Sequence, residues 1–405
     1  MNTRIYKIFL LLLAGFLGSV HPIMAQKKEL IEAKSQIKSG KDLVKAENSM
    51  TKLLLDSSNK KNTKIWLTLY IAVRKQYESG NERLYLKQKC DTDSLFDNTL
   101  KLFQILESFD SIDAAPNKKG VSHPEYREKH AEFLNQIRPN LFNGGAFFIK
   151  KQKYDHAYQF FNQYINCANQ PLFRSYNYAE KDKDMPQAAY WAAYCGYKQQ
   201  NAKETLHHAY WALKDTTHYL YMLQYLAETY KLEKDTTRYL EALKEGFLKS
   251  PTFPFFFPRL VDYYANVEGN NAQALAVTDS ALAKDPKNII FQFAKSTILL
   301  NTGRFEECIA MSDKLIAEND SLADAYYNAG LAYYDRAVEM DKGDNRIQNN
   351  RKNILSDYRK ALPYLEKYRK LAPDQGSRWA VPLYTIYLNL NMGKEFDEMD
   401  KILRK

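Results

Sequence analysis

Four cysteines in 405 residues cannot staple a chain of this length, so a disulfide-dependent scaffold is excluded. No two of them have zinc-finger spacing, and the adjacent His207 and His208 point to different parts of a helix surface, so no metal site is expected. The chain also lacks a Gly-x-Ser-x-Gly elbow, a phosphate-cradling glycine loop and a His-Glu-x-x-His pair. Neither catalysis nor a cofactor is therefore expected. Charge of one sign is scarce too: the formal excess is +10, and Lys and Arg are interleaved with Asp and Glu along most helical stretches, as on solvated faces. With no basic-aromatic module of a known nucleic-acid fold, a nucleic-acid partner is not expected.

Long apolar runs are missing after residue 25. Before it, Arg4 and Lys7 precede the run Ile8 to Val20, and Ile23-Met24-Ala25 offers a cleavage site. Residues 1–25 thus resemble a secretory signal peptide; thirteen apolar residues fall short of the ~20 that span a bilayer. No Cys follows the run, so no lipoprotein attachment is expected. The expectation is a periplasmic or otherwise exported protein with no membrane span, associated with the outer membrane, if at all, through a partner. Buried free thiols are expected at Cys195 and Cys308, on packing helix faces, and at Cys167, near a helix end; a Cys167–Cys195 bridge is the open alternative in an oxidising compartment.

What is present is a period. Ala193, Ala227, Asp262, Ser296 and Gly330 follow one another at steps of 34 or 35. Twelve residues after the first four come Thr205, Tyr239, Ala274 and Cys308, and Pro251 and Pro286 each fall 24 residues after Ala227 and Asp262. The unit is a helix, a short turn, a second helix and a stop. Small residues let two antiparallel helices approach where they cross, and proline cannot continue the second helix. Units of this size stack because one alone cannot bury its apolar face.

The segment Ala323, Ala325 to Tyr327, Asn328 to Gly330 and Ala332 to Tyr334 resembles a tetratricopeptide repeat (TPR). Further copies are Gln187 to Leu213, Gly269 to Pro286, Gly303 to Cys308, and the stretch from Leu141 with Gly144-Gly145, Phe148, Ala157 and Phe161. Asp262 and Tyr239 depart from the small side chains of their slots. The resemblance implies an all-α fold, a right-handed superhelical solenoid of TPR-like helix hairpins whose first helices line a concave groove. Carried onto the matching positions, the groove would present Phe142, Tyr190, Tyr194 and Tyr197, then Gln224 and Lys231. Farther along it would present Arg259, Tyr263, Asn266, Phe293, Asn301, Tyr327 and Tyr334. Aromatic and amide groups suit an extended peptide or a helix. The Lys-Asn clamp by which some family members hold acidic chaperone tails is missing: the corresponding pairs read Tyr190/Tyr194, Gln224/Glu228, Arg259/Tyr263, Phe293/Thr297 and Tyr327/Leu331.

Two steps are stretched. A surplus of 14 residues with Pro171, Asp182 and Pro186 reads as a loop between hairpins, and a surplus of 19 between Tyr334 and Ala361 reads as two lengthened helices joined near Gly343-Asp344-Asn345. Residues 26–115 read as degenerate helical hairpins, with 123–405 as the repeat domain closed by a capping hairpin from Trp379 to Leu403. Asp followed by Ser or Thr recurs, making Ser94, Ser111, Thr216, Thr236 and Ser321 candidate O-glycosylation acceptors; helix capping is the alternative reading. The expected function is a non-enzymatic protein-interaction scaffold of the bacterial cell envelope with a protein partner. The alternatives are an envelope carbohydrate-binding protein using the same aromatics, and an accessory subunit of an enzyme or secretion complex.

Overall fold

A computed structural model describes residues 26–342 and 348–404. The leader reading and the junction near Gly343 lie outside the described residues. Among those described there is no strand, and no helix is long and apolar enough to cross a membrane. The chain forms two compact units, the first ending at Glu233 and the second opening at Lys234.

The first unit begins with α1 (26–39), α2 (Leu43–Leu55), α3 (Thr63–Tyr85) and α4 (Thr92–Asp113), followed by α5 (Arg127–Ile137), α6 (Pro139–Lys150) and α7 (Tyr154–Asn166). After an inserted segment come α8 (Tyr178–Lys181), α9 (Met185–Lys198), the broken pair α10 (Ala202–His207) and α11 (Ala209–Ala212), and α12 (Tyr219–Leu232). Packing runs between neighbours in the chain: α3 on α4, α6 on α7, α7 on α9, and α9 on α10, α11 and α12.

The second unit contains α13 (Thr236–Lys249), α14 (Phe256–Asp262), α15 (Asn271–Lys284), α16 (Ile289–Asn301) and α17 (Phe305–Glu318). The long pair α18 (Ala323–Lys342) and α19 (Gln348–Leu371) follows, then α20 (Gly376–Asn389) and α21 (Gly393–Leu403). The 19-residue surplus has thus gone into two lengthened helices, as its helical texture implied.

Small residues stand at the crossings. A Cβ on Gly144 or Gly145 would lie 2.6 or 2.5 Å from the rings of Phe160 and Phe161, and one on Gly330 would lie 2.7 Å from Leu365. Ser296 accepts a hydrogen bond at 2.8 Å from the amide of buried Asn328. Asp262 cannot occupy such a slot without burying a carboxylate. There α14 gives way to a π turn over Tyr263–Val267, with Glu268 N–H donating to Tyr263 O at 2.9 Å. The wider turn leaves Asp262 in solvent and buries Tyr264. Tyr239 keeps its slot and is buried.

The turns inside the hairpins share one device. At the ends of α3, α6, α9, α16 and α20 a left-handed residue (Lys87, Gln152, Gln200, Gly303 and Asn391) closes the helix with the paired carbonyl contacts of a Schellman cap. Only one of the five is glycine.

The 14-residue surplus is packed rather than loose. It forms a tight turn over Pro171–Tyr176 and then α8, burying Leu172, Phe173 and Tyr178. It also delivers Asp182 to Arg138, at the α5–α6 junction. Arg138 is 5% exposed, lies between the rings of Tyr164 and Tyr178 at 3.7 and 3.8 Å, and pairs with Asp182 at 2.6 Å. Its Nη2 donates to Tyr164 O at 3.0 Å.

Candidate partner-binding surface

In the first unit the structure gathers Tyr190, Tyr194 and Tyr197 along α9 and sets them against α12. Tyr225, one repeat step beyond Tyr190, is the hub. Tyr190 stacks on it at 5.9 Å with the two hydroxyls 3.2 Å apart, and Tyr197 stacks on it at 4.5 Å. Tyr194 tilts against it at 5.9 Å and meets Tyr154 of α7 edge-on. His218, held by Asp215 at 2.7 Å, stacks on the outer face of Tyr190 at 4.2 Å.

These contacts rank the tyrosines. Tyr190, at 4% exposure, is a core residue, not the groove-facing one its repeat slot implied, because His218 and Tyr225 cover both sides of its ring. Tyr194 and Tyr197 stay half-buried, with rings braced and edges accessible. Burial pushes the Tyr194 phenol up to about 12, and burial likewise raises Tyr225, so both keep their protons at neutral pH and can donate.

Beside Tyr197 a cleft of about 350 Å³ runs between α9, the start of α10 and the end of α12. Apolar Tyr197, Ala202 and Leu232 share its lining with polar Gln200 and Glu228. Beside it α9 and α10 approach closely: a Cβ on Gly196 would lie 2.4 Å from the backbone nitrogen of Thr205. Gln224 is half-buried and Lys231 exposed on α12. Phe142 lies apart, edge-on to Phe161 and Tyr164 at 5.4 and 5.9 Å.

In the second unit, Arg259 lies over the Phe255 ring at 3.7 Å, while Tyr263 and Asn266 sit on the π turn, Asn266 donating to Asp262 at 2.7 Å. Phe293 is half-buried and Asn301 exposed at the end of α16. Tyr327 is covered by Arg378 at 3.9 Å and lies 4.9 Å from Tyr368; Tyr334 lies 6.1 Å from Tyr358 and donates to Thr385 at 3.5 Å. Both are engaged in packing by α19 and α20. Tyr225 and His218 were not singled out from sequence, although the step of 35 from Tyr190 to Tyr225 carries the signal.

The five Asp-Ser/Thr hydroxyl residues are exposed. Asp235 caps α13 by accepting Arg238 N–H at 3.0 Å, and Asp215 caps the turn before α12 through Thr217 N–H at 3.0 Å. Ser94 is itself bonded to a different cap, Asp91. Cys167, Cys195 and Cys308 are buried free thiols and Cys90 a half-buried one; no Cys167–Cys195 bridge is formed. Among the described residues no three His, Cys, Asp or Glu side chains converge as metal ligands would.

No family model matches the chain, and no curated protein matches it. Solved structures do. The C-terminal part of a TPR repeat-containing protein from Cytophaga hutchinsonii is 13% identical, over 64% of this chain and 93% of that one, with a TM-score of 0.44. A tetratricopeptide repeat protein from Parabacteroides merdae is 14% identical over 67% of this chain and all of the other, with a TM-score of 0.37. The type IV pilus biogenesis factor PilW is 15% identical over 54% and 92%, with a TM-score of 0.35. The first two are described as TPR proteins, and the hairpin packing described above defines the fold by itself.

Next to this surface, His208 is buried and its Nε2 lies 2.9 Å from Asn162 Oδ1. Burial, then repulsion from His207, pushes it down to about 4. A lowered histidine contributes stability above its ordinary value of 6.5 that is lost as pH falls toward 4. Buried His130, also pushed to about 4, acts in the same direction. Glu107, which burial raises to about 7, acts oppositely, losing stability as pH rises from 4.5 to 7. His208→Gln is expected to remove roughly half of the histidine-linked stability loss between pH 6.5 and 4, read as a flatter melting-temperature profile. An unchanged profile counts against a buried neutral His208.

Proposed function

We propose that the protein is a non-enzymatic interaction scaffold of a bacterial cell envelope, and that the α9–α12 face of its first unit captures an extended segment of a protein partner. The envelope assignment rests on the leader-like residues 1–25. The observation carrying the binding proposal is that half-buried Tyr197, stacked on Tyr225 and one helical turn from Tyr194, lines a cleft of mixed apolar and polar groups. Rings already held in place lose little entropy on binding, and the exposed Gln200 side chain can meet a peptide backbone. A sugar platform needs an open ring face. Those of Tyr190 and Tyr225 are stacked against neighbours, which favours the peptide reading over the carbohydrate one.

The test is selection of a displayed random-peptide library on the full chain, followed by titration of the enriched peptide. Tyr197→Ala and Leu232→Ser are each expected to weaken it by ~10-fold or more, with the melting temperature nearly unchanged. Failure to enrich any consensus, or an enriched peptide indifferent to both substitutions, overturns the assignment.

A further inference from the structure

The positive charge of this chain is not spread along it. Residues 26–90 hold 15 Lys and Arg against 7 Asp and Glu, whereas residues 91–405 hold 41 of each. The whole excess beyond the first 25 residues therefore lies on α1 to α3 and the turn that follows.

The same segment carries an exposed apolar tip. Leu84, Tyr85 and Leu86 close α3 at 47%, 85% and 53% exposure, with Arg83 before them and Lys87 and Lys89 after. The tip is rigid. Lys87 is left-handed at φ 55°, its N–H donates to Leu84 O at 3.1 Å, and Gln88 N–H donates to Arg83 O at 2.9 Å. In a Schellman cap an apolar contact commonly joins the residues in the places of Arg83 and Gln88. Both are polar here, so that contact is missing and the three apolar side chains stay exposed beside the cap.

Neighbouring turns extend this edge. The α1–α2 turn and the end of α3 line one open cavity of about 770 Å³, shared by Gly40, Val44, Lys45, Gly80, Arg83 and Asp91. Val44 is 58% exposed there. The α6–α7 turn joins through Lys151 and Lys153, which both pair with Asp93 in the first turn of α4. Of the acidic groups at this edge, Asp93 is taken by those lysines, Asp91 by the backbone and hydroxyl of Ser94, and Glu32 by Lys45 at 2.7 Å; Asp42 and Glu82 are exposed.

We propose that this edge docks on an anionic lipid bilayer, with Leu84, Tyr85 and Leu86 inserted at the headgroup level and Arg83, Lys87, Lys89 and Lys41 against the lipid phosphates. Charge selects the surface and the apolar tip selects lipid over other polyanions. Coulomb attraction alone would suit any acidic polymer, but three consecutive large apolar side chains held in water gain only by leaving it. Tyrosine belongs at that depth, and lysine stems reach outward from it.

The experiment is co-sedimentation of the full chain with phosphatidylcholine vesicles, with and without phosphatidylglycerol, at low and high salt. Binding is expected only to the anionic vesicles and weaker at high salt. Leu84→Ser/Tyr85→Ser/Leu86→Ser and Lys87→Glu/Lys89→Glu are each expected to lower the partition coefficient by ~10-fold or more. All five positions are exposed, so circular dichroism and melting should stay unchanged. In a Tyr85→Trp variant, fluorescence shifts to the blue on anionic vesicles alone. A wild type that stays in the supernatant overturns the proposal. So does a serine variant that binds as well as wild type, or retention on heparin without retention on vesicles, which points to a soluble polyanion.

Discussion

Replacing Asp182 with alanine is expected to destabilise the first unit by about 3–5 kcal/mol, the range for a buried ion pair that loses one partner. Arg138 would remain between Tyr164 and Tyr178 at the α5–α6 junction with its charge uncompensated. The rings supply cation–π attraction and the Tyr164 carbonyl one hydrogen bond, but neither neutralises a guanidinium. Arg138 cannot escape by deprotonation, since arginine stays charged in proteins. Urea unfolding followed by circular dichroism reads the loss as a lower midpoint. The pair Arg138→Met with Asp182→Leu separates charge from shape: it is expected to recover most of the stability, because replacing a buried ion pair with apolar groups of similar size is often close to neutral. If Asp182→Ala alone costs less than about 1 kcal/mol, in the range of an exposed pair, water reaches Arg138 and the site is not dry.

Gly196→Ala is expected to cost about 2–3 kcal/mol. Alanine improves helix propensity by roughly 1 kcal/mol at a mid-helix glycine, so propensity alone would make the change stabilising. The added methyl, however, would stand 2.4 Å from Thr205 N and 2.8 Å from Glu204 C, both backbone atoms of the next helix. No rotamer change relieves that, and α9 must move away from α10. Because the cleft lies beside this crossing, the same variant should lose affinity for a peptide that depends on Tyr197. Gly303→Ala is the control. It has open space around it but a φ of 71°, and its expected cost is about 1 kcal/mol, from backbone strain alone. Equal melting temperatures for the two variants would show that the α9–α10 approach is not tight.

The crossings were legible because only small side chains fit them, and their spacing therefore survives in the sequence. The hairpin turns were not. Lys87, Gln152 and Gln200 adopt the left-handed conformation that glycine or asparagine usually signals, and only the backbone reveals that they do the work of Gly303. The later turns of α3 are not legible either, since they are held by single contacts such as buried Tyr77 with Asn140. Among the groove positions, a repeat slot fixes where a side chain starts but not what covers it. Tyr190 is closed by Tyr225 and His218, and Tyr327 by Arg378 and Tyr368, all from other elements. The two ends of the Arg138–Asp182 pair belong to different repeats, one inside an insertion, and no local pattern links them.

The surplus segment carrying Asp182 also sets an order of events on a growing chain. Most helices of the first unit pack on elements just before or after them, so a chain emerging from its N-terminal end can bury each hairpin as soon as it is complete. Arg138 works against that order. It emerges 44 residues ahead of its counter-ion, and until Asp182 follows only the Tyr164 ring and carbonyl and water can shield it. The α5–α6 junction is therefore expected to stay hydrated until the insertion arrives as the latch that lets α6, α7 and α9 settle together.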